Sequence, residues 1–326
     1  MEQLNIRRQK YEALKEALKT SDDGQISTTD AESRALILHR NIVEVSYNSQ
    51  TAVDSKHKLI IHYQATNKND FKALFPAALA AKQVLGKVSI TVLADKGYFN
   101  GGQLSRCEEN SIITLVAFKQ ARRQSPIPTD DYLIDKFTYD KAQDHYICPR
   151  GEALKTNGSI YKKSTVCEIR KNPTPYTVKH YKTKACMACA VKALCTNNKY
   201  GRLVERNEYT EVVGRNNQRV IEQQEVYRKR QAIVEHPFGT IKRAWGYTYT
   251  LLKGLEKVDG EMGLIFTVYN IRRAVSILSV PELLKLLKSR GKDCCCCFYA
   301  GLRAKISLSA EDGFWNRENQ QLKMVA

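Results

Sequence analysis

The chain has 326 residues, 43% of them hydrophobic and 26% charged, enough apolar material to bury a large core. No apolar run approaches the roughly 18 to 20 residues that cross a bilayer, and the opening Met1-Glu2-Gln3-Leu4 lacks the apolar stretch of a signal peptide, so a cytoplasmic protein without a membrane is expected. Lys and Arg number 52 against 34 Asp and Glu, a net charge of +18 that favours a polyanionic partner, because each neutralised phosphate releases condensed counterions.

In chain order, residues 1–20 read as a short amphipathic helix, with Leu4, Tyr11, Leu14 and Leu18 on one side, closed by the turn Asp22-Asp23-Gly24. Gln25 to Asp30 is a short strand candidate. Val45 to Val53 alternates, and a polar turn at Asp54-Ser55-Lys56 joins it to Leu59–Thr66, which predicts a hairpin. Asn69-Asp70 offers an N-cap to an Ala/Leu-rich helix from Phe71 to about Leu85. Gly86 ends that helix, and Val88 to Ala94 is an almost continuous apolar run, as expected of a strand covered on both faces. A helix over about 103–110 and a strand over 112–118 complete a β-β-β-α-β-α-β order, an α/β domain with a mixed sheet. Residues 119–215 break this rhythm with five of the eight prolines and five of the ten cysteines, and read as an inserted basic module. Helix returns from about 218 to 245 and from 261 to 278, and the stretch from Lys288 onward shows no periodicity.

Asp95 ends the most apolar strand and is soon followed by Gly97, where the backbone can turn sharply. Carboxylates clustered at strand ends, with a further one brought in by a helix, are what two-metal phosphoryl chemistry uses. Asp30 and Asp54 compete for the first ligand, and Asp30, at the end of the first strand candidate, is preferred because Asp54 stands where a hairpin-turn aspartate would. Glu235 is the helical candidate: Arg228, Gln231 and Lys242 recur at spacings that place them on its face, provided Pro237 does not kink the helix first. The plain alternative for each is a cap, a turn former or a salt-bridged helix surface.

Taken together, Ala94-Asp95-Lys96-Gly97-Tyr98, the Tyr47–Asp54 hairpin arm, Val234–Lys242 and Tyr269-Asn270-Ile271-Arg272-Arg273 resemble bacterial insertion-sequence transposases of the DDE superfamily, over roughly residues 25–280. The resemblance implies an RNase H-like mixed sheet flanked by helices, with a cysteine-containing basic insertion before the last catalytic helix. It implies an acidic triad of Asp30, Asp95 and Glu235 holding Mg²⁺ or Mn²⁺. Tyr227, Arg228, Arg230, Lys242 and Arg243 would then grip DNA phosphates. Relatives often leave three residues between arginine and glutamate, whereas four separate Arg230 from Glu235, so Arg228 shares that candidacy. The implied chemistry is hydrolysis at a transposon end followed by in-line attack of the freed 3′-hydroxyl on target DNA, with a homodimer in the DNA complex and a nucleoid-associated location.

In the insert, Cys148-Pro149-Arg150-Gly151, Cys186-Met187-Ala188-Cys189 and Cys195 have the spacing of a tetrahedral Zn²⁺ site, against the plain reading of reduced, buried thiols. Similar cysteines occur in the insert of one branch of these transposases. His180 is a substitute ligand, while Cys107 and Cys167 look unpaired. Tyr176, Lys179, Tyr181, Lys182, Lys184, Lys192, Lys199, Tyr200 and Arg202 interleave cations with aromatics as DNA-contacting segments do. The expected organisation is a helical remnant and linker over 1–24, a core over 25–118 and 216–287, the insert over 119–215 and an irregular tail over 288–326. Relatives usually carry a further N-terminal helical domain, so a truncated copy is expected, with Cys294–Cys297 and the tail as read-through. The rival readings are a non-catalytic zinc- and DNA-binding remnant, or a general RNase H-like nuclease.

Overall fold

The computed structural model describes residues 2–21, 24–37, 42–118, 127–164, 175–289 and 321–325. Cys167 and the Cys294–Cys297 run lie outside the described residues. In chain order, helix α1 (Glu2–Thr20) precedes a two-stranded ribbon, β1 (Arg34–Ile37) against β2 (Val43–Ser46). The hairpin follows as β3 (Asn48–Asp54) and β4 (Ile60–Thr66), then α2 (Leu74–Leu85), β5 (Ile90–Ala94), α3 (Gly101–Glu109) and β6 (Ile112–Val116). The middle of the chain supplies β7 (Thr138–Asp140), β8 (His145–Ile147), β9 (Ala153–Ser164), β10 (Pro175–Lys182), the short α4 (Lys192–Cys195) and β11 (Val204–Asn207). Helices α5 (Thr210–Glu222), α6 (Gln224–Phe238), α7 (Leu255–Leu278) and α8 (Val280–Ser289) come next, and β12 (Gln321–Val325) is last. No single helix among the described residues is long and apolar enough to cross a membrane.

Two units emerge, one from residues 1–117 with 215–326 and one from residues 118–214. The first is mixed α/β. Its sheet has the order β4-β3-β12-β5-β6, with β5 parallel to β6 and to β12, and β3 antiparallel to β12 and β4. Gln50, Thr51, Ala52 and Val53 are all almost wholly buried. Successive side chains of a strand point to opposite faces, so the sheet is covered on both sides.

Three sequence expectations are corrected here. Residues 25–30 form no strand, with bends at Thr28 and Thr29; six residues of weak alternation did not outweigh the turn-forming Ser27-Thr28-Thr29-Asp30. The strand expected over 45–53 breaks at Tyr47, leaving Val45 exposed on the ribbon. The tail expected to be irregular supplies β12, a strand too short to register as a periodicity.

Both edges of this sheet end in the same way. A β4 or β6 edge presents N–H and C=O groups with no further strand to pair them. On β4, Asn270 of α7 accepts from Ile60 N–H at 2.9 Å and donates to Ile60 C=O at 2.8 Å. On β6, Asn216 of α5 does the same for Val116, at 2.9 Å in both directions. Each buried amide thus stands in for a neighbouring strand. Asp259 adds a third contact, accepting from Ala65 N–H at 2.6 Å. Asp259 and Asn270 are eleven residues apart on a helix, about 16 Å at the helical rise. Ile60 and Ala65 are five residues apart on a strand, again about 16 Å. Helix and strand are therefore in step, and Gly263 between them lets α7 approach: a Cβ there would stand 2.1 Å from the Tyr63 hydroxyl.

Beneath α6 and α7 the core joins Val53, Ile60, Ile233, Ile241, Phe266 and Tyr269. At the β6 edge, Arg215 and Arg219 of α5 bind Glu108 of α3, the first at 2.6 Å. Burial pushes the Glu108 carboxyl up, but the two guanidiniums outweigh it and hold it below the usual carboxylate range.

The second unit is an antiparallel sheet in sequential order, β7 to β11, around Phe137, Tyr146, Leu154, Tyr181 and Val204. Asp144, at φ +46° in the β7–β8 turn, accepts from the hydroxyls of Tyr139 (2.8 Å) and Tyr181 (2.6 Å) and from Lys179 (2.9 Å). These donors, Tyr181 and Lys179 foremost, hold its carboxyl down to about 2.

Two outcomes follow. Asn270→Ala and Asn216→Ala each strand a buried backbone N–H and C=O, at about 1–3 kcal/mol per orphaned group, so chemical denaturation should show a loss of about 2–6 kcal/mol, against no measurable change for Ser276→Ala. Asp144 is depressed in the folded state, so its stabilisation is present above the unfolded carboxyl value of about 3.9 and fades as pH falls toward about 2. Asp144→Asn should therefore lower the thermal midpoint at pH 7, with the difference from the parent chain shrinking between pH 4 and 2 in near-ultraviolet dichroism melts.

Candidate active site

Because β5 runs parallel to β12 and β3 antiparallel to it, β3 begins at the edge where β5 ends. That edge gathers acids. Asp95 leaves β5 with its carboxylate accepting from Lys96 N–H at 2.7 Å, capping the short turn Lys96–Tyr98. Tyr227, near the start of α6, donates to Ala94 C=O at 3.1 Å. The Tyr227 phenol is pushed up first by burial and further by the nearby Asp95 charge, while Arg230, whose guanidinium lies 5.6 Å from its ring, pulls the other way. Asp95, singled out at a strand end, and Tyr227 and Arg230, implied by the family resemblance, thus share one place.

Asp30 sits at the same edge. Its Oδ2 accepts from the hydroxyl of Tyr47 (2.8 Å), the residue just before β3, and from Gly254 N–H (3.2 Å), and its Oδ1 accepts from Glu32 N–H (3.3 Å). Burial would raise its carboxyl, but these donors and the charge of Lys253 hold it below the usual range.

A third acid there went unread in the sequence as anything but a cap. Asp70 Oδ1 accepts from the amides of Asn48 and Gln50, both at 2.7 Å. The buried Gln50 in turn accepts from the Tyr98 hydroxyl. Asp70 Oδ2 lies against Gly97, 3.1 Å from where a Cβ would stand, so the carboxylate fits the Asp95–Tyr98 turn because that position lacks a side chain. The signal was present: Asn48 and Gln50 alternate onto one face of β3, and two amides together at a strand start need an acceptor.

Asp54 lies at the opposite edge, accepting from His57 N–H within the hairpin turn at 2.5 Å. Glu235 is exposed on α6 and accepts from Gln231 at 2.7 Å, the face-sharing neighbour the spacing predicts. Its neighbour His236 meets Tyr269 at 2.8 Å, and Tyr269 donates to Lys58 C=O at 2.8 Å, in the same hairpin turn as Asp54. The hydroxyl has one hydrogen, given to Lys58, so His236 Nδ1 is the donor to Tyr269. Helix α6 therefore runs from the Asp95 edge at Tyr227 toward the hairpin edge at His236, and carries Glu235 away from Asp30 and Asp95. Among the described residues no three His, Cys, Asp or Glu side chains stand where they could hold a metal ion.

The cations divide likewise. Arg228 and Arg243 are exposed on this unit. Pro237 does not end the helix; a π-helical stretch over Gly239–Ala244 follows it, with Trp245 N–H bonding to Thr240 C=O. A π turn advances less per residue than an α turn, so Lys242 rotates off the face shared by Glu235 and Arg228, and it lies 5.5 Å from the Phe238 ring. In Tyr269–Arg273, Arg273 donates to His57 C=O at 2.6 Å. With Tyr269 and Asn270 it clamps the hairpin rather than offering cations to a ligand.

In the second unit Tyr181 is buried, Lys179 is paired with Asp144 and Lys192 donates to Lys199 C=O, so these side chains serve the fold. Tyr200 remains exposed under Lys199, 4.8 Å from the ring centre. His180 stacks on Tyr161 at 4.2 Å, away from the cysteines. Cys107 is buried in α3, its thiol pushed up to about 12 by burial.

No curated protein and no solved structure matches the chain. Residues 147–275 match the family model described as a transposase DDE domain, about two-fifths of the chain, including Glu235, Tyr227 and Arg230 but neither Asp30 nor Asp95. That match, with the acidic edge of a mixed α/β unit, supports a DDE transposase.

Proposed function

We propose that this chain is the catalytic domain of a DNA transposase with an RNase H-like core, cutting DNA at insertion-sequence ends and joining the freed 3′-hydroxyl to target DNA. The observation that carries the reading is the meeting of Asp95 with Tyr227 and Arg230, from segments some 130 residues apart in sequence, at the edge that also holds Asp30. Asp30, Asp95 and Glu235 are the acids this reading assigns to the activity, and Glu235 would have to approach the other two from the hairpin edge, toward which α6 carries it. Tyr227, Arg228, Arg230, Lys242 and Arg243 are its phosphate contacts, the last three spread along α6 and the π-helical stretch that follows it. The net charge of +18 supports a DNA partner held chiefly through its backbone. Such an enzyme acts beside the chromosome, and a homodimer would bring the two transposon ends together.

DDE transposases use Mg²⁺ or Mn²⁺. The acids as they stand do not fit such an ion: among the described residues no three ligating side chains converge, and Glu235 lies toward the other edge. What the protein's own groups do in this arrangement is position. Tyr47 and Gly254 orient Asp30, Gly97 admits Asp70 beside the Asp95 turn, and Tyr227 fixes the end of β5.

That misfit favours a second reading, a DNA-binding remnant without catalysis. The two separate on nicking of DNA carrying the element's ends in Mg²⁺ or Mn²⁺. The transposase reading expects nicks that vanish in Asp95→Ala and Glu235→Ala and persist in Asp54→Ala. DNA binding without any cleavage would leave the remnant, and cleavage indifferent to the ends would leave a general nuclease. Binding itself should weaken steeply with salt, and Arg228→Ala with Arg243→Ala should flatten the slope by about 1 for each phosphate no longer neutralised. An unchanged slope would remove these two arginines from the interface.

A further inference from the structure

Four cysteines from separate stretches of the second unit line one cavity. Cys148 follows β8 and opens a knuckle in which Gly151 N–H returns to Cys148 C=O at 2.8 Å, with Gly151 at φ +84°. Cys186 lies in the short turn Lys184–Met187, Cys189 follows it, and Cys195 ends α4. Their neighbours around the cavity include Phe137, Leu154 and Val191. Three stretches of chain thus deliver four sulfurs, and no aspartate or histidine, to one apolar hollow.

Arg202 lines the same cavity and is 8% exposed. Its Nε has no hydrogen-bond partner, and its guanidinium lies 5.4 Å from the Phe137 ring centre. Glu152, the acid beside the cavity, is exposed and forms no ion pair with it among the described residues. A buried charge without compensation costs several kcal/mol, so this guanidinium needs negative charge from somewhere. Neutral thiols supply none. Four thiolates around a divalent ion carry a net charge of two minus, which one adjacent guanidinium would halve. The backbone before Arg202 is shaped for this closeness: Gly201, at φ +90°, would place a Cβ 2.5 Å from Cys186 Cβ, so only glycine lets the segment leading to β11 lie against that cysteine.

We propose that Cys148, Cys186, Cys189 and Cys195 form a tetrathiolate site for Zn²⁺, and that Arg202 is the buried cation balancing its negative charge. Tetrahedral coordination by four cysteines in a loop-rich module is the structural, closed form of zinc binding. The thiols in the structure line the cavity without closing into ligand geometry; on binding, each gives up its proton to solvent as its sulfur takes a metal bond. The site would tie the Cys148 knuckle, the 184–189 turn and α4 together. It does not depend on the transposase reading, because a non-catalytic protein would bind the ion equally.

The test uses the full chain, purified with reductant, and reads metal rather than activity. Elemental analysis should find one zinc per chain. Replacement by Co²⁺ should give intense thiolate charge-transfer absorption with the visible bands of a tetrahedral site. Cys189→Ser and Cys148→Ser should lose them, and Cys107→Ala should keep them. Arg202→Leu should weaken Co²⁺ binding by about 10- to 100-fold, the usual effect of removing a partner behind the ligands, and Arg202→Lys should restore part of it. The wild-type cobalt spectrum decides even where a variant fails to fold. A chain that takes up no Co²⁺, holds iron with its own chromophore, or shows a native Cys186–Cys189 disulfide in thiol titration overturns the site. Arg202→Leu with unaltered affinity overturns the arginine's role.

Discussion

Unpaired strand edges are the constraint around which the first unit is organised. A sheet ending in β4 on one side and β6 on the other would leave rows of backbone donors and acceptors beneath helices, where water cannot serve them. One buried asparagine per edge meets this need, because a carboxamide offers a donor and an acceptor at the spacing of a peptide group. Asn270 fixes where α7 lies along β4, and Asn216 fixes α5 along β6. Once α7 is in register, Asp259 meets Ala65, Tyr269 and Arg273 meet the hairpin turn, and Gly254 at the helix start meets Asp30. The placement of a candidate catalytic acid thus descends from a backbone requirement more than four helical turns away.

The acidic edge combines two kinds of demand. Asp30 and Asp70 hold loops as acceptors, which explains their partners without appeal to a ligand, whereas Tyr227 ties α6 to the end of β5 and brings Arg230 with it to the neighbourhood of Asp95. Polar groups of both signs then concentrate at one end of the sheet while the other end is occupied by clamps.

Much of the first unit was legible. The β3–β4 hairpin, α2 with its glycine stop, β5, α3 and β6 follow from alternation, an apolar run and turn chemistry, all local signals. What could not be read depends on partners far along the chain. Nothing in Ile265–Ala274 marks Asn270 as different from any polar residue on a helix. Asp70 looks like a cap because its two amide donors sit twenty residues upstream. Glu235 shows the reverse limit: its helical face was legible through Gln231, but the end of the sheet to which α6 carries it was not. The π-helical stretch after Pro237 similarly broke a face that a uniform helical period had drawn through Lys242. In the second unit, interleaved tyrosines and lysines read as a nucleic-acid surface, yet Tyr181 and Lys179 converge on Asp144, a meeting that only the strand register creates.

The asparagine seal also has a price in time. Ile60 and Asn270 are 210 residues apart, so at ribosomal speeds of about 5–20 residues per second the β4 edge emerges about 10 to 40 s before the residue that covers it is made. During that interval the hairpin presents an open template to other nascent chains. High expression, which crowds such half-finished chains together, should therefore favour inclusion bodies, and slow synthesis at low temperature or chaperone capture should relieve them.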